Sequence, residues 1–193
     1  MSTFDEFFKQ IDRYHPLSQE TKSELLAICH IDYFKKNDLL LQAGDRPQHY
    51  YFIQKGLLGY YLLDENGDTV YKMFFEENSF VASTAAIIEE QASKFNIVAL
   101  EDVQVISYRA DKFRQLINKH HDLALFHLHY LEKNWVVKKE PLEINLKRES
   151  AKQRYLKMLD NPSLISRIKQ HQIASYLGIT PTQLSRIRKD LNL

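Results

Sequence analysis

The sequence predicts an α+β chain in three parts: an N-terminal β domain, a long helical segment and a small C-terminal helical domain. Short runs of β-branched, aromatic and leucine residues, separated by turn residues, occupy residues 33–108. Apolar residues at helical spacing dominate residues 110–159, and two short helices joined by a glycine follow at 168–193. We therefore place the divisions at residues 1–109, 110–146 and 147–193.

Two short helices are predicted before the β domain. The first has an apolar face and ends near His15–Pro16, and the second begins with Ser18 as its N-cap. Cys29 is the only cysteine, which excludes intramolecular disulfides and metal sites that need several thiolates. We expect it to be a small apolar side chain on a helix. The apolar face of the first helix comprises Phe4, Phe7, Phe8 and Ile11.

The β domain contains one clear hairpin. Residues 56–63 and 69–75 flank Asn66–Gly67, a dipeptide that readily adopts positive φ in a turn. Two further strands are predicted on either side of Glu101–Asp102. Rolled antiparallel sheets of this kind hide their edges and can enclose one small ligand.

The helical segment repeats apolar residues every seventh position. Such a repeat predicts a seam that pairs with the same helix of a second copy; the alternative is an amphipathic helix packed on its own sheet. Pro141 is expected to kink or break the helix, which resumes at Ser150 and ends at Asn161–Ser163. The repeat comprises Leu116, Leu123, Tyr130 and Val137, with Phe126 and Lys133 at the intermediate heptad position.

Charge is distributed unevenly along the chain. The net charge is +1, but residues 147–193 carry ten Lys or Arg against three Asp or Glu, a net +7 that leaves −6 for the rest. A small basic domain suits a polyanionic partner. No stretch has the apolar length of a signal peptide or membrane span, so we expect a cytoplasmic protein without a membrane partner.

The basic C-terminal part contains a helix-turn-helix pattern. Lys169 to Leu177 forms one helix, Gly178 supplies a left-handed turn, and Thr180 caps a second helix with Pro181 at its first position. Polar and cationic side chains on the second helix are predicted to face outward, as reading the major groove of DNA requires. The predicted DNA contacts are Lys169, Gln170, Thr180, Thr182, Gln183, Ser185, Arg186, Arg188 and Lys189.

These residues carry a resemblance to a known family. The run from Gln172 to Thr180, followed by Leu184 to Lys189, resembles the C-terminal helix-turn-helix of the cyclic-AMP-receptor/Fnr (Crp/Fnr) family of transcription regulators, in a Bacteroidetes-like subgroup with a short C terminus. Residues 150–155 and the β segment from Gly44 through Asp102 are similar in order and spacing. The resemblance implies a double-stranded β-roll of the cyclic-nucleotide-binding type with jelly-roll topology, a long dimerisation helix and a helix-turn-helix without a full wing.

The resemblance also implies partners. It predicts a homodimer that places each recognition helix, Thr180 to Asp190, in a major-groove half-site of double-stranded DNA, with RNA polymerase as a further candidate partner. Longer family members add a β wing after the recognition helix. Many relatives have an acidic residue where this chain has Thr182, so their base preference does not carry over.

The family's ligand site is altered in this sequence. Cyclic-nucleotide-binding relatives use a Gly-Glu pair and an Arg-Ser or Arg-Thr pair, whereas this chain has Ala82–Ser83 and Ser93–Lys94. A lysine cannot reproduce the bidentate contact of an arginine with phosphate. We therefore expect a different small-molecule effector or none, do not expect a cyclic nucleotide, and identify no cofactor. The predicted effector pocket comprises Val81, Ala82, Ser83, Thr84, Ser93 and Lys94.

Two other classes of protein were compared with a regulator. A cupin-type enzyme needs clustered histidines on the strands, but residues 33–108 contain only His49. The spacing of His120, His121, His127 and His129 does not suit a metal site, so we predict neither a metal nor an enzyme. The remaining alternative is an effector-binding module whose helical tail contacts proteins, which would show no DNA affinity at any salt concentration.

Overall fold

The computed structural model describes residues 4–192, apart from the side chains of residues 146 and 147. The boundary that we predict between residues 110–146 and 147–193 falls at Leu146 and Lys147, whose side chains are outside the described ones. Leu193 lies outside the described residues. The strands are β1 Cys29–Phe34, β2 Leu39–Leu41, β3 His49–Lys55, β4 Leu58–Leu63, β5 Thr69–Phe75, β6 Phe80–Val81, β7 Asn96–Ala99 and β8 Val103–Arg109. The helices are α1 Asp5–Asp12, α2 Gln19–Ala27, α3 Thr84–Ile88, α4 Ala110–Lys119, α5 His121–Leu131, α6 Lys139–Arg148, α7 Ala151–Leu159, α8 Pro162–Arg167, α9 Gln170–Leu177 and α10 Pro181–Asp190.

The strands form two four-stranded antiparallel sheets, in the orders β1-β8-β3-β6 and β2-β7-β4-β5. Because neighbours in each sheet come from distant parts of the chain, the strands cross repeatedly between the sheets and roll them together. This arrangement confirms the predicted α+β class and the β-roll. Its interior is closed by apolar side chains, among them Leu41, Ile53, Leu58, Ile97 and Val105.

Two glycines fix the turns of the β-roll. Gly67 has a φ of 83° and completes the predicted β4–β5 hairpin, whereas Asn66 does not take a positive φ. Gly56, between β3 and β4, has a φ of 100°, and a Cβ at this position would lie 2.5 Å from Cγ1 of Val103. Glycine is required there both by conformation and by space.

The β-roll begins earlier in the chain than the sequence predicted. Cys29 is the first residue of β1 and pairs with Tyr108, so the prediction that it lies on a helix is wrong. Helix α2 ends at Ala27. Strand β1 follows it and pairs with β8 as the edge strand of its sheet. Burial raises the pKa of the Cys29 thiol to about 12, so this cysteine stays protonated at neutral pH.

The helical segment is not the single helix that was predicted. Helix α4 stops at Lys119, and His120 has an extended backbone with φ −116° and ψ 112°. The break allows Asp122, at the start of α5, to accept hydrogen bonds from Ser18 N at 2.8 Å and from the Thr21 hydroxyl at 2.9 Å. These bonds attach the helical segment to α2.

A second irregularity precedes Pro141. Residues 132–137 form a π-helical segment, and Pro141 lies in the first turn of α6. A proline in the first turn removes no bond within its own helix. The predicted interruption is therefore present, on the N-terminal side of the proline.

The heptad residues pack on the β-roll of their own chain. Leu123 and Phe126 are buried against Phe7, Phe52 and Ile106, and Leu116 and Tyr130 are partly buried in the same cluster. Leu123 and Phe126 therefore cannot contribute to the predicted seam with a second copy, and the alternative of a helix packed on its own sheet is correct for these two residues. Val137 and Lys133, the other two members, are exposed.

The C-terminal helices share an apolar cluster with the β-roll. Ser150 caps α7 as predicted, but Asn161 and Pro162 do more than end it: they begin α8. An asparagine cap followed by a proline is itself a helix-start signal that the sequence contained. Leu57, Tyr71, Val98 and Leu100 of the β-roll pack with Tyr155, Ile168, Ile173, Ala174, Leu177 and Leu184 of the C-terminal helices.

Candidate nucleic-acid interface and effector pocket

The turn between α9 and α10 is fixed by backbone geometry and capping. Gly178 has the predicted left-handed conformation, φ 67° and ψ 34°, and Ile179 N donates to Ala174 O at 3.0 Å. Thr180 Oγ1 accepts from Gln183 N at 3.2 Å, while Gln183 Oε1 accepts from Thr180 N at 2.9 Å. This reciprocal capping box sets the start of α10.

One face of α10 is polar, cationic and exposed. Thr182, Ser185, Arg186 and Lys189 are all exposed to solvent. Their spacing of i, i+3, i+4 and i+7 places them along one side of the helix. Hydroxyl and guanidinium groups can bond base edges, and an ammonium can neutralise a phosphate. We call these four residues the α10 face.

Other predicted DNA contacts lie elsewhere. Lys169 and Gln170 are exposed at the start of α9, but the Thr180 and Gln183 side chains bond each other in the cap. Arg188 is half-buried, and its Nε is buried without a hydrogen-bond partner among the described residues. Arg188 therefore faces outward only in part. It is four residues after buried Leu184, and that spacing was the available signal.

The predicted effector pocket is filled by its own hydroxyl groups. Ser83 and Ser93 are buried, and their Oγ atoms lie 2.9 Å apart. The Tyr60 hydroxyl lies 3.1 Å from Ser83 Oγ, and Phe95 N donates to Ser93 Oγ at 3.0 Å. These groups satisfy one another without a bound anion.

Aromatic rings close the same region. The Tyr60 and Phe95 rings stack with centroids 4.5 Å apart, and Lys72 Nζ lies 4.7 Å from the Phe95 centroid. Burial and the neighbouring charge of Lys139 lower the pKa of Lys72. Lys94, the cation predicted for this pocket, is exposed at the surface. The structure thus brings Ser83 and Ser93 together but leaves Lys94 outside.

The remaining predicted pocket residues surround this network. Val81 is buried in the core of the β-roll, while Ala82 and Thr84 are partly buried at the start of α3. Ser83 also lines a half-open cavity of about 330 Å³. Its apolar floor includes Leu41, Tyr51 and Ile97, and its rim is the loop at 45–48 with His49. The sequence reasoning did not find this cavity, since its rim residues come from a loop without a motif.

Three of the four histidines of the helical segment contact other residues of the chain. His120 Nε2 lies 3.0 Å from a Glu24 carboxylate oxygen, and His129 Nδ1 lies 3.1 Å from Tyr14 O. His127 packs edge-on against Phe113, and burial together with Arg114 lowers its pKa. Over residues 4–192 we found no group of three potential ligands that could hold a metal ion.

Comparison with known proteins identifies the domain and the fold. Residues 31–120 match the cyclic nucleotide-binding domain family. The cAMP-activated global transcriptional regulator CRP of Pasteurella multocida is 26% identical over 113 residues, which is 58% of this chain and 54% of that protein. The corresponding regulator of Salmonella typhimurium is 24% identical over 110 residues, covering 57% and 52% of the two chains. The chain thus spans about half the length of these curated relatives.

Solved structures share the fold over most of the chain. The c-di-GMP responsive global regulator CLP of Xanthomonas campestris superposes with a TM-score of 0.72 at 14% identity, covering 91% of this chain and 92% of that one. FixK2 of Bradyrhizobium japonicum gives a TM-score of 0.72 at 14% identity, with coverage of 86% and 85%. No helix in the described part of this chain is long and apolar enough to cross a bilayer. Residues 31–120 thus match a cyclic nucleotide-binding domain, and over most of its length this chain is similar in fold to regulators of the Crp/Fnr family.

Proposed function

We propose that this protein is a homodimeric transcription regulator that binds double-stranded DNA through the α10 face. The observation that carries the proposal is the capped, exposed α10 with Thr182, Ser185, Arg186 and Lys189 on one side. The surplus of basic residues in 147–193 supplies the electrostatic attraction to DNA. Such a protein would act in the cytoplasm, with RNA polymerase as a further partner.

A different seam supports dimerisation. Leu128, Trp135 and Leu142 are exposed, as are the neighbouring apolar residues Val136 and Ile144. Apolar side chains concentrated in one exposed helical region mark an interaction surface. A second copy of the same segment would cover them, in place of the heptad residues that pack on the β-roll.

The effector is proposed not to be a cyclic nucleotide. A nucleotide phosphate at Ser83 and Ser93 would have to break their hydrogen bonds and would find Lys94 at the surface. Burying a phosphate without a fixed cation is costly. We infer that the regulator responds to another small molecule or binds DNA without one.

The test is selection of genomic DNA fragments by the purified protein near physiological salt, with and without cyclic AMP. We expect enrichment of a two-fold-symmetric site in both arms, with an affinity that falls steeply as salt rises. The Lys94→Ala variant, which loses an exposed cation far from α10 in sequence, is the matched control. Failure to enrich any site, even with cell extract added, would contradict the proposal and favour the protein-contact module.

A further inference from the structure

Arg167, the last residue of α8, joins the C-terminal helices to two loops of the β-roll. Its guanidinium donates to Glu77 from Nη1 and Nη2 at 2.9 Å each, and to Glu101 from Nη2 at 2.7 Å and from Nε at 3.0 Å. Glu77 follows β5, and Glu101 lies between β7 and β8. We call these three residues the Arg167 clasp. Bidentate bonds of this kind fix orientation as well as distance.

The clasp rests on a rigid base. Glu77 Oε1 also accepts from Gly56 N at 2.7 Å, in the turn that has room only for glycine. At the other end of α8, Asn161 Nδ2 donates to Glu76 at 2.7 Å and the Ser163 hydroxyl to the same carboxylate at 2.9 Å. Helix α8 is therefore attached at both ends to the consecutive residues Glu76 and Glu77.

A second attachment joins α9 to β5, an edge strand. Tyr71 N donates to Ser175 Oγ at 3.0 Å, and Ser175 Oγ donates to Thr69 O. Gln172 Nε2 donates to the Tyr71 hydroxyl at 3.0 Å. The Tyr71 amide thus reports directly whether α9 is docked on the β-roll.

These contacts leave the α10 face free. The docking residues belong to α8 and to one side of α9, while Thr182, Ser185, Arg186 and Lys189 remain exposed. Docking therefore does not cover the surface that we propose for DNA. It fixes the direction in which that surface points relative to the β-roll and the helical segment.

We propose that Arg167 is a positioning residue for DNA recognition, which holds the docked C-terminal helices in the orientation that lets both subunits of a dimer contact one symmetric site. This inference rests on the proposed function. Two half-sites bind together only when geometry permits both contacts. If the C-terminal helices were no longer held in this orientation, each subunit would still bind a single half-site. The gain in affinity from binding both half-sites at once would be lost.

The experiment compares Arg167→Gln with the double variant Glu77→Gln/Glu101→Gln in the full chain. The first variant loses a positive charge and the second loses two negative charges, so non-specific attraction to DNA changes in opposite directions. Because each variant breaks the clasp, we expect both to lower the ratio of affinity for a symmetric site to affinity for a single half-site by roughly tenfold. Arg46→Gln, an exposed arginine on a β-roll loop, controls for charge loss.

Hydrogen exchange provides the readout that is independent of DNA. We expect exchange of the Tyr71 amide to accelerate by about tenfold or more in both clasp variants, while core amides of the β-roll keep their protection. Unchanged exchange at Tyr71 would overturn the clasp as a docking contact. Faster exchange with an unchanged or higher affinity ratio would overturn its role in positioning. If the wild type selected no DNA site, the proposed function would fail, although the exchange result would still stand.

Discussion

The two arginines of α10 differ in exposure, and this difference separates the residues that we propose to read DNA from those that support the fold. Arg186 is exposed on the α10 face, whereas Arg188 is half-buried. They are two residues apart, which places them on different sides of the helix. Although the two side chains are chemically identical, we therefore propose different roles for them.

Arg186→Ala is expected to relax sequence selectivity at one base pair, at a cost of about 1–3 kcal/mol for the preferred site. Lys189→Ala should weaken all DNA sites about equally and reduce the salt slope by about 1. Titration of matched and single-substituted duplexes at several salt concentrations measures both effects. Uniform losses from both variants would show that Arg186 does not read a base.

Arg188→Ala is the matched variant, with the same loss of charge. Because the Arg188 side chain is largely covered, we expect it to change the free energy of unfolding more than the selectivity for DNA. Chemical denaturation beside the same duplex titration separates the two effects. A loss of base selectivity equal to that of Arg186→Ala would show that Arg188 also contacts a base.

At the scale of elements, patterns that depend on local chemistry were predictable from the sequence. The Ser18 and Thr180 caps, the Gly178 turn and the Asn66–Gly67 hairpin were all found, because a few adjacent residues determine each of them. The partner of an apolar face is not local information. A heptad repeat indicates only that one side of a helix is buried, and here the β-roll covers it.

The closing of the effector pocket was predictable only in part. The sequence showed that Ser83 and Ser93 replace the charged residues of relatives, but not that the Tyr60 hydroxyl would join them. The break at His120 likewise accompanies tertiary contacts, namely those of Asp122 with α2. Sequence spacing does not reveal such contacts.

The two apolar sets of the helical segment should respond differently to substitution. Leu123→Ala removes a fully buried side chain and is expected to lower the free energy of unfolding by about 2–5 kcal/mol. Leu142→Glu is expected to leave the monomer folded but to weaken dimerisation, since Leu142 is exposed. Sedimentation and thermal denaturation distinguish these outcomes. If Leu142→Glu dimerised as strongly as the wild type, the subunit contact would lie elsewhere on the chain.

At the scale of the whole molecule, the chain is one packed unit in which the β-roll and the C-terminal helices share an apolar cluster. Two sets of polar contacts join the same parts of the molecule: the Arg167 clasp and the bonds between α9 and β5. These contacts fix the orientation of the C-terminal helices, which we propose to bind DNA, relative to the β-roll.

The clasp also predicts how stability depends on pH. Burial alone would raise the pKa of Glu77, but bonds from Arg167, from its own backbone and from Gly56 outweigh burial and lower it to about 2, from an ordinary 4.5. The unfolded chain therefore binds this proton more readily than the folded one. The contribution of Glu77 to stability is present above pH 4.5 and is lost as pH falls toward 2.

Glu77→Gln removes this titration while keeping the shape of the side chain. We expect wild type and Glu77→Gln to differ most in free energy of unfolding above pH 4.5, and the difference to shrink as pH falls toward 2. Denaturant titrations at a series of pH values measure it. The neighbouring carboxylates of Glu76 and Glu101, which also contact Arg167, are present in both proteins. A difference that stays constant across this range would mean that the Glu77 carboxylate does not stabilise the docked state through its charge.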